Sequence, residues 1–201
     1  YNPTVLLHGE NGIIGQDKIA GRAFDNDTEW EKAHSKELTT SKEGHKDLCN
    51  AGNEYVTLIP GGCCFDSSIS FAMARGGHLD ATVLGALQVD KHGNLANWAV
   101  PGKSVNGMGG AMDLVSGAKK VIVAMEHCSK NGESKIVDEC TMPLTAIGCV
   151  SVIVTELCVI EFLDGEPTVT AMAPGLTRDE LLAKTDTALS FAENIGVMAV
   201  E

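Results

Sequence analysis

Apolar residues in this chain come in short runs, set apart by polar and glycine-rich joints. Residues 5–7, 55–59 (YVTLI), 81–89, 119–127 and 150–163 each have the length and β-branched content of buried strand sequence. Pro60-Gly61-Gly62 is expected to stop the second run. Glu156 marks a turn that splits the last run into two strands, the second at 158–163. Asp164-Gly165 then signals a hairpin into TVTAM. Helical spacing appears in SSISFAMAR, capped by Asp66 or Ser67, with Ile69, Ala72 and Met73 on one face. Gly76 and Gly77 end it. Thr177 and Glu180 have capping-box spacing, and the helix they open is expected to reach about Phe191. Its inward residues would be Leu181, Leu182, Thr185, Leu189 and Ala192. Alternating strands and helices predict an α/β fold, a mainly parallel sheet covered by helices.

One stretch does not read as packing. From Gln88 to Asp113 the chain runs QVDKHGNLANWAVPGKSVNGMGGAMD, with five glycines and three asparagines. Glycine costs conformational entropy, so such a cluster implies tight turns or close approach to another group. Gly102-Lys103-Ser104 ends like a phosphate-binding loop, but Asn97 stands where that motif needs its first glycine. Gly107-Met108-Gly109-Gly110 begins like a dinucleotide fingerprint, but Met112 replaces the third glycine. What remains is a glycine pair running into the helical segment AMDLVSGA. Amides at a helix start lack internal partners and suit a carboxylate, phosphate or oxyanion. A ligand-facing loop and a plain connecting loop both satisfy this local pattern.

Glu10 lies in His8-Gly9-Glu10-Asn11-Gly12, where a strand ends at an Asn-Gly turn. Loops at strand ends are usual places for reactive side chains in α/β proteins. Residues 16–48 are polar and highly charged, and read as a surface insertion or lid in which His34 and His45 are solvated.

The formal net charge of −12 disfavours nucleic acid and anionic membrane, so neither is expected as a partner, since both need clustered Lys and Arg. No apolar run is long enough for a membrane span, and no signal peptide is visible. Seven cysteines without C-x-x-C spacing point to reduced thiols, to no metal, and to the cytoplasm as the expected compartment. Each cysteine reads as a small buried hydrophobe. Two hundred and one residues suit one domain over 1–201. Strand-like TVLL follows Tyr1 almost at once, so the natural protein is expected to extend further N-terminally.

Several longer motifs occur in order: Gly9-Glu10-Asn11-Gly12; Phe65-Asp66-Ser67-Ser68 with Ser70-Phe71-Ala72-Met73 and Arg75-Gly76-Gly77-His78; Leu84-Gly85-Ala86-Leu87-Gln88-Val89; Asn94-Leu95-Ala96-Asn97-Trp98; Pro101-Gly102-Lys103; Gly107 to Leu114; and Met142-Pro143-Leu144-Thr145. Together they resemble a class I coenzyme A-transferase, the β subunit of the short-chain 3-oxoacid (acetoacetate or butyrate–acetoacetate) branch. The resemblance covers most of residues 4–15 and 47–200.

That resemblance implies an enzyme that moves coenzyme A between a short-chain acyl-CoA and a carboxylic acid, in ping-pong order, through a glutamyl-CoA thioester. It implies Glu10 as nucleophile. It implies the amides of Gly110 and Ala111 as oxyanion donors, and Asn11, Gly12, Asn97, Lys103, Met108 and Gly109 as substrate- or CoA-binding positions. No cofactor beyond CoA as substrate is implied. An α subunit is, in an α2β2 assembly, without which the chain is expected to be inactive. Three departures bear on this: Gly9 stands where the family has Ser, the 16–48 stretch is longer than usual, and the family's N-terminal region does not precede Tyr1. The longer stretch bears on access to the site, while Gly9 and the missing N-terminal region support an alternative, a non-catalytic binding or assembly subunit of the same fold.

Overall fold

The computed structural model describes residues 5–19, 48–52, 56–102 and 107–199. The chain divides into two compact units, residues 1–73 and 74–201. The division falls inside a helix, α1 (Ser67–Arg75).

The first unit is an antiparallel sheet in the order β1-β2-β3, with β1 at His8–Gly9, β2 at Ile13–Ile19 and β3 at Val56–Cys64. His8 pairs with Ile14 and Gly9 with Ile13 across a short hairpin. The strand at 55–59 does not stop at Pro60-Gly61-Gly62. Instead β3 runs through it, and the register slips between Ile14↔Cys63 and Gln16↔Leu58. Gly61 has φ 89°, and the irregularity takes up the proline that cannot donate to a ladder. Residues 16–19, the start of the charged stretch, continue β2; residues 20–47, with His34 and His45, lie outside the described residues.

Asp66 caps α1 by accepting from the Ser68 amide at 2.8 Å. The face expected to be buried is not. Ile69 is 52% exposed and Ala72 is exposed, while Ser70 and Ala74, one turn apart, are fully buried. Small side chains let the helix approach its neighbours closely, and that contact outweighs the hydrophobicity of Ile69.

The second unit contains a six-stranded sheet in the order β12-β11-β10-β9-β7-β4. Its strands are β4 (Thr82–Leu84), β7 (Val121–Ala124), β9 (Val152–Val154), β10 (Cys158–Leu163), β11 (Glu166–Met172) and β12 (Ser190–Val197). A small sheet, β6-β5-β8, joins Leu95–Ala96, Gln88–Asp90 and Ile136–Val137. The expected strand 81–89 is therefore two strands, broken at Gly85-Ala86-Leu87, that serve different sheets.

The large sheet is mixed. β4, β7 and β9 pair in parallel, as do β11 and β12, but β9-β10-β11 is an antiparallel meander. Two tight turns impose the meander, because parallel neighbours need a long crossover. In one turn Thr155 Oγ1 accepts from the amides of Leu157 and Cys158, at 3.1 Å each. In the other, Asp164 (φ 51°) and Gly165 (φ 86°) form the anticipated hairpin.

Val121 and Val123 on β7, Ile153 on β9, Ile160 on β10 and Val169 on β11 point into one core, which Leu181 closes. Each such side chain contributes about 1.5–3 kcal/mol on burial. α2 (Ala111–Gly117) lies between β6 and β7 in sequence and buries Ala111, Leu114 and Val115.

The last helix, α3 (Arg178–Leu182), has the expected capping box but ends far short of Phe191. Lys184 and Thr185 donate three residues back, to Leu181 and Leu182, and Asp186 then donates to the Ile136 carbonyl at 3.1 Å. Pairing with β8 and the joining of β12 to β11 in parallel override the helical spacing there. Leu181 is buried as expected, but Leu182 is exposed.

Candidate active site

Glu10 occupies the hairpin between β1 and β2. The Gly12 amide donates to the Gly9 carbonyl at 3.0 Å and closes a turn around Glu10 and Asn11. Gly12 has φ 109°, and a Cβ there would lie 1.9 Å from the Phe65 carbonyl oxygen, so only glycine fits. The Phe65 amide donates to Gly12 O at 2.9 Å, which holds the far shoulder of the turn. On the near shoulder, buried Ser70 places its hydroxyl 2.8 Å from His8 Nε2 and 3.3 Å from Gly9 O. The His8 ring stacks on Phe65 with centroids 6.2 Å apart, and partial burial moves its pKa below the ordinary imidazole value. Glu10 itself is half-buried. Asn11 uses its amide to hold the 48–50 segment, donating to Cys49 O at 2.6 Å.

In the second unit the polar side chains of the glycine-rich stretch are mostly engaged with the protein. Gln88 Oε1 accepts from the amides of Thr141 (2.9 Å) and Met142 (3.1 Å). Asp90, 3% exposed, accepts from the amides of His92, Asn94 and Cys140 and from Asn94 Nδ2. Asn94 Oδ1 accepts from the Gly148 amide at 2.8 Å. Asn97 and Thr145 are reciprocal partners: the Thr145 hydroxyl donates to Asn97 Oδ1 at 2.6 Å and accepts from the Asn97 amide at 3.2 Å. Asn97 Nδ2 donates to Gly85 O at 3.2 Å. Residues 88–97 thus staple the 140–148 segment in place. The sequence showed the asparagines but not what they hold.

Downstream, Gly107 (φ 88°) and Gly109 (φ 54°) are exposed, and Met108 is half-buried. Gly110 is the residue before α2 and accepts from the Leu114 amide at 3.1 Å; its own amide has no partner among the described residues. The Ala111 amide donates to Met108 O at a long 3.3 Å. Lys103 lies outside the described residues, so its predicted role has no geometry here. Of the predicted site residues, Glu10, Asn11 and Gly12 share the β1–β2 turn of the first unit. Asn97, Met108, Gly109, Gly110 and Ala111 belong to the second.

Ser70 and His8, which bond at the Glu10 turn, were not singled out from the sequence. The available signal was a polar residue four positions before Ala74, on the small-residue face of the helix.

A second polar cluster closes β7. His127 is fully buried; its Nδ1 lies 3.2 Å from Thr155 Oγ1 and its Nε2 2.9 Å from Thr185 Oγ1. Its backbone amide donates to Glu156 at 2.9 Å. The Thr185 hydroxyl also donates to Leu181 O at 2.9 Å. Burial lowers the His127 pKa. Burial also pushes the Cys140 thiol up to about 12 and Cys158 up to about 11, so both are poor nucleophiles at neutral pH. Among the described residues no group of three or more His, Cys, Asp or Glu is placed to hold a metal ion. Among them, too, no helix is long and apolar enough to cross a membrane.

The family profile of Coenzyme A transferase matches residues 34–184. The chain belongs to that family. It is 54% identical over 191 residues to acetate CoA-transferase subunit beta of Escherichia coli (strain K12), spanning 95% of this chain and 78% of that protein. It is 45% identical over 197 residues to human mitochondrial succinyl-CoA:3-ketoacid coenzyme A transferase 2, spanning 97% of this chain and 34% of the human one. Among solved structures, an E. coli O157:H7 acyl-CoA transferase in a thioester complex with CoA superposes with TM-score 0.67 at 19% identity, over 96% of this chain and 35% of that one. Glutaconate coenzyme A-transferase from Acidaminococcus fermentans gives TM-score 0.58 at 13% identity, over 76% and 67% of the two chains. At such identities these two speak to the fold alone.

Proposed function

We propose that this chain is the β subunit of a coenzyme A-transferase that moves CoA between a short-chain acyl-CoA and a carboxylic acid of the acetate or 3-oxoacid type. The observation that carries this reading is its 54% identity, across 95% of its length, to a relative named acetate CoA-transferase subunit beta. The finer fold expectation, a mainly parallel sheet covered by helices, is supported by the parallel pairs β4-β7-β9 and β11-β12 and by α2.

In the mechanism, a Glu10 carboxylate oxygen attacks the thioester carbonyl and the carbon–sulfur bond breaks. CoA leaves as thiolate, and a mixed anhydride remains on Glu10. The thiolate then attacks the glutamyl carbonyl, releasing the first acid and leaving glutamyl-CoA. The acceptor carboxylate reverses both steps, so thioester energy is conserved without a cofactor. Each tetrahedral intermediate puts negative charge on oxygen. The amides of Gly110 and Ala111 are assigned as its donors. The Gly110 amide, without a partner among the described residues, and the long Ala111 bond favour that assignment. Asn97 acts by fixing the 140–148 segment, Gly12 by allowing the turn, and Asn11 by anchoring it to Cys49. Met108 and Gly109 precede the donors and shape the approach, and Lys103 is assigned to CoA.

An α subunit completes the enzyme in an α2β2 assembly in the cytoplasm. The test is CoA transfer measured with the chain alone and after co-expression with an α subunit. Transfer appears only in the pair and disappears with Glu10→Ala. A pair that binds acyl-CoA and never transfers it supports the non-catalytic reading and overturns this one.

A further inference from the structure

The Ser70 hydroxyl is buried in a helix, where serine usually turns back on the carbonyl four residues earlier. Here it does not. The Asp66 carbonyl takes the Ser70 amide at 3.2 Å, and the hydroxyl reaches across to the β1–β2 hairpin. Placing its single proton on Gly9 O at 3.3 Å assigns His8 the Nε2–H tautomer, which then donates to the hydroxyl at 2.8 Å. This makes a chain of donors, His8 to Ser70 to Gly9, ending on the carbonyl that precedes Glu10. Stacking on Phe65 fixes the imidazole that starts the chain, and the next amide bond of Phe65 holds Gly12. Both shoulders of the turn are therefore set from the residues that open α1.

We infer that Ser70 and His8 are positioning residues for the Glu10 carboxylate, acting through the Gly9 carbonyl. This rests on Glu10 being the nucleophile. Together they remove the freedom of the peptide from which the carboxylate springs. Attack geometry tolerates little error, and a displacement on the order of 1 Å costs far more in rate than in binding.

The assembled enzyme carrying Ser70→Ala is expected to lose about tenfold in kcat, the equivalent of one hydrogen bond, with KM for acyl-CoA unchanged. His8→Phe keeps the stack on Phe65 and removes the donor, and is expected to behave the same way. Because the two act as one chain, the double variant is no slower than Ser70→Ala alone. An unchanged kcat in Ser70→Ala, or losses that multiply in the double variant, would overturn the inference. Should Ser70→Ala fail to assemble, His8→Phe at its half-buried position decides by the same split between kcat and KM. Glu10→Ala is assayed beside them. Residual transfer in that variant defeats the nucleophile assignment, whereas its loss with normal kcat in Ser70→Ala defeats only the positioning role.

Discussion

Arg75 Nε donates to Asp113 Oδ1 at 2.7 Å and so fastens the last turn of α1 to the first turn of α2, the helix that begins at Ala111 just after Gly110. The hydrogen bond from Arg75 holds the Asp113 carboxyl below the usual carboxylate range. Its contribution to stability is present above that range and fades as pH falls into it. The pair is exposed, so screening keeps that contribution small. Arg75→Met is expected to leave the thermal midpoint nearly unchanged while slowing transfer several-fold, which steady-state kinetics on the assembled enzyme will show. A large loss of stability with normal kcat would place the pair in folding alone.

Gly117 sits where α2 meets α1, and a Cβ there would lie 1.7 Å from the Ala74 carbonyl oxygen. Backbone must move to admit it. Gly117→Ala is expected to cost about 1–3 kcal/mol in urea unfolding, the range for overpacked sites. Gly12→Ala meets Phe65 O in the same way, with a φ that disfavours any side chain, and is expected to abolish transfer by displacing the Glu10 turn.

Thr145, 2% exposed, satisfies both the Asn97 amide and its side-chain oxygen. Thr145→Val keeps the shape and strands both partners. A loss of about 1–3 kcal/mol is expected, the cost of buried polar groups left unpaired. Asn97→Ala is expected to loosen the 140–148 segment, read as faster amide hydrogen exchange at the Leu95–Ala146 pairing.

His127 gives the fold a pH dependence of definite sign. Burial depresses its folded-state pKa below the ordinary 6.5, with Glu156 opposing the shift and Lys184 adding to it. Above the unfolded value both states carry a neutral ring and the full stability is present. As pH falls below it, the unfolded chain takes a proton that the folded one refuses, and stability declines through the folded pKa. His127→Gln should flatten the unfolding free energy between pH 6.5 and lower values relative to the parent chain. An unchanged slope would show that the ring titrates freely.

Much of this architecture was legible because local signals agreed with tertiary demand. The Asp164-Gly165 hairpin, the Thr177–Glu180 box and the apolar strands of the large sheet each have one strong solution. The failures share a cause. Pro60-Gly61-Gly62 reads as a stop until a paired β2 offers a bulge, and the helix after Leu182 reads as continuing until β8 offers Asp186 a partner. Ser70 carries no reading of its own in the sequence, and its burial depends on the hairpin beside it. Partners remote in sequence decided all three. Glu10 is proposed on motif order, not local chemistry, since a glutamate beside a turn is by itself ordinary.

The most direct test is to incubate the assembled enzyme with acyl-CoA, trap with borohydride, and map the modified peptide by mass spectrometry. A reduced carboxyl at Glu10, formed only in the presence of acyl-CoA and missing in Glu10→Gln, is the predicted result. An enzyme that transfers CoA while its modification falls on another residue, or on none, would contradict the account.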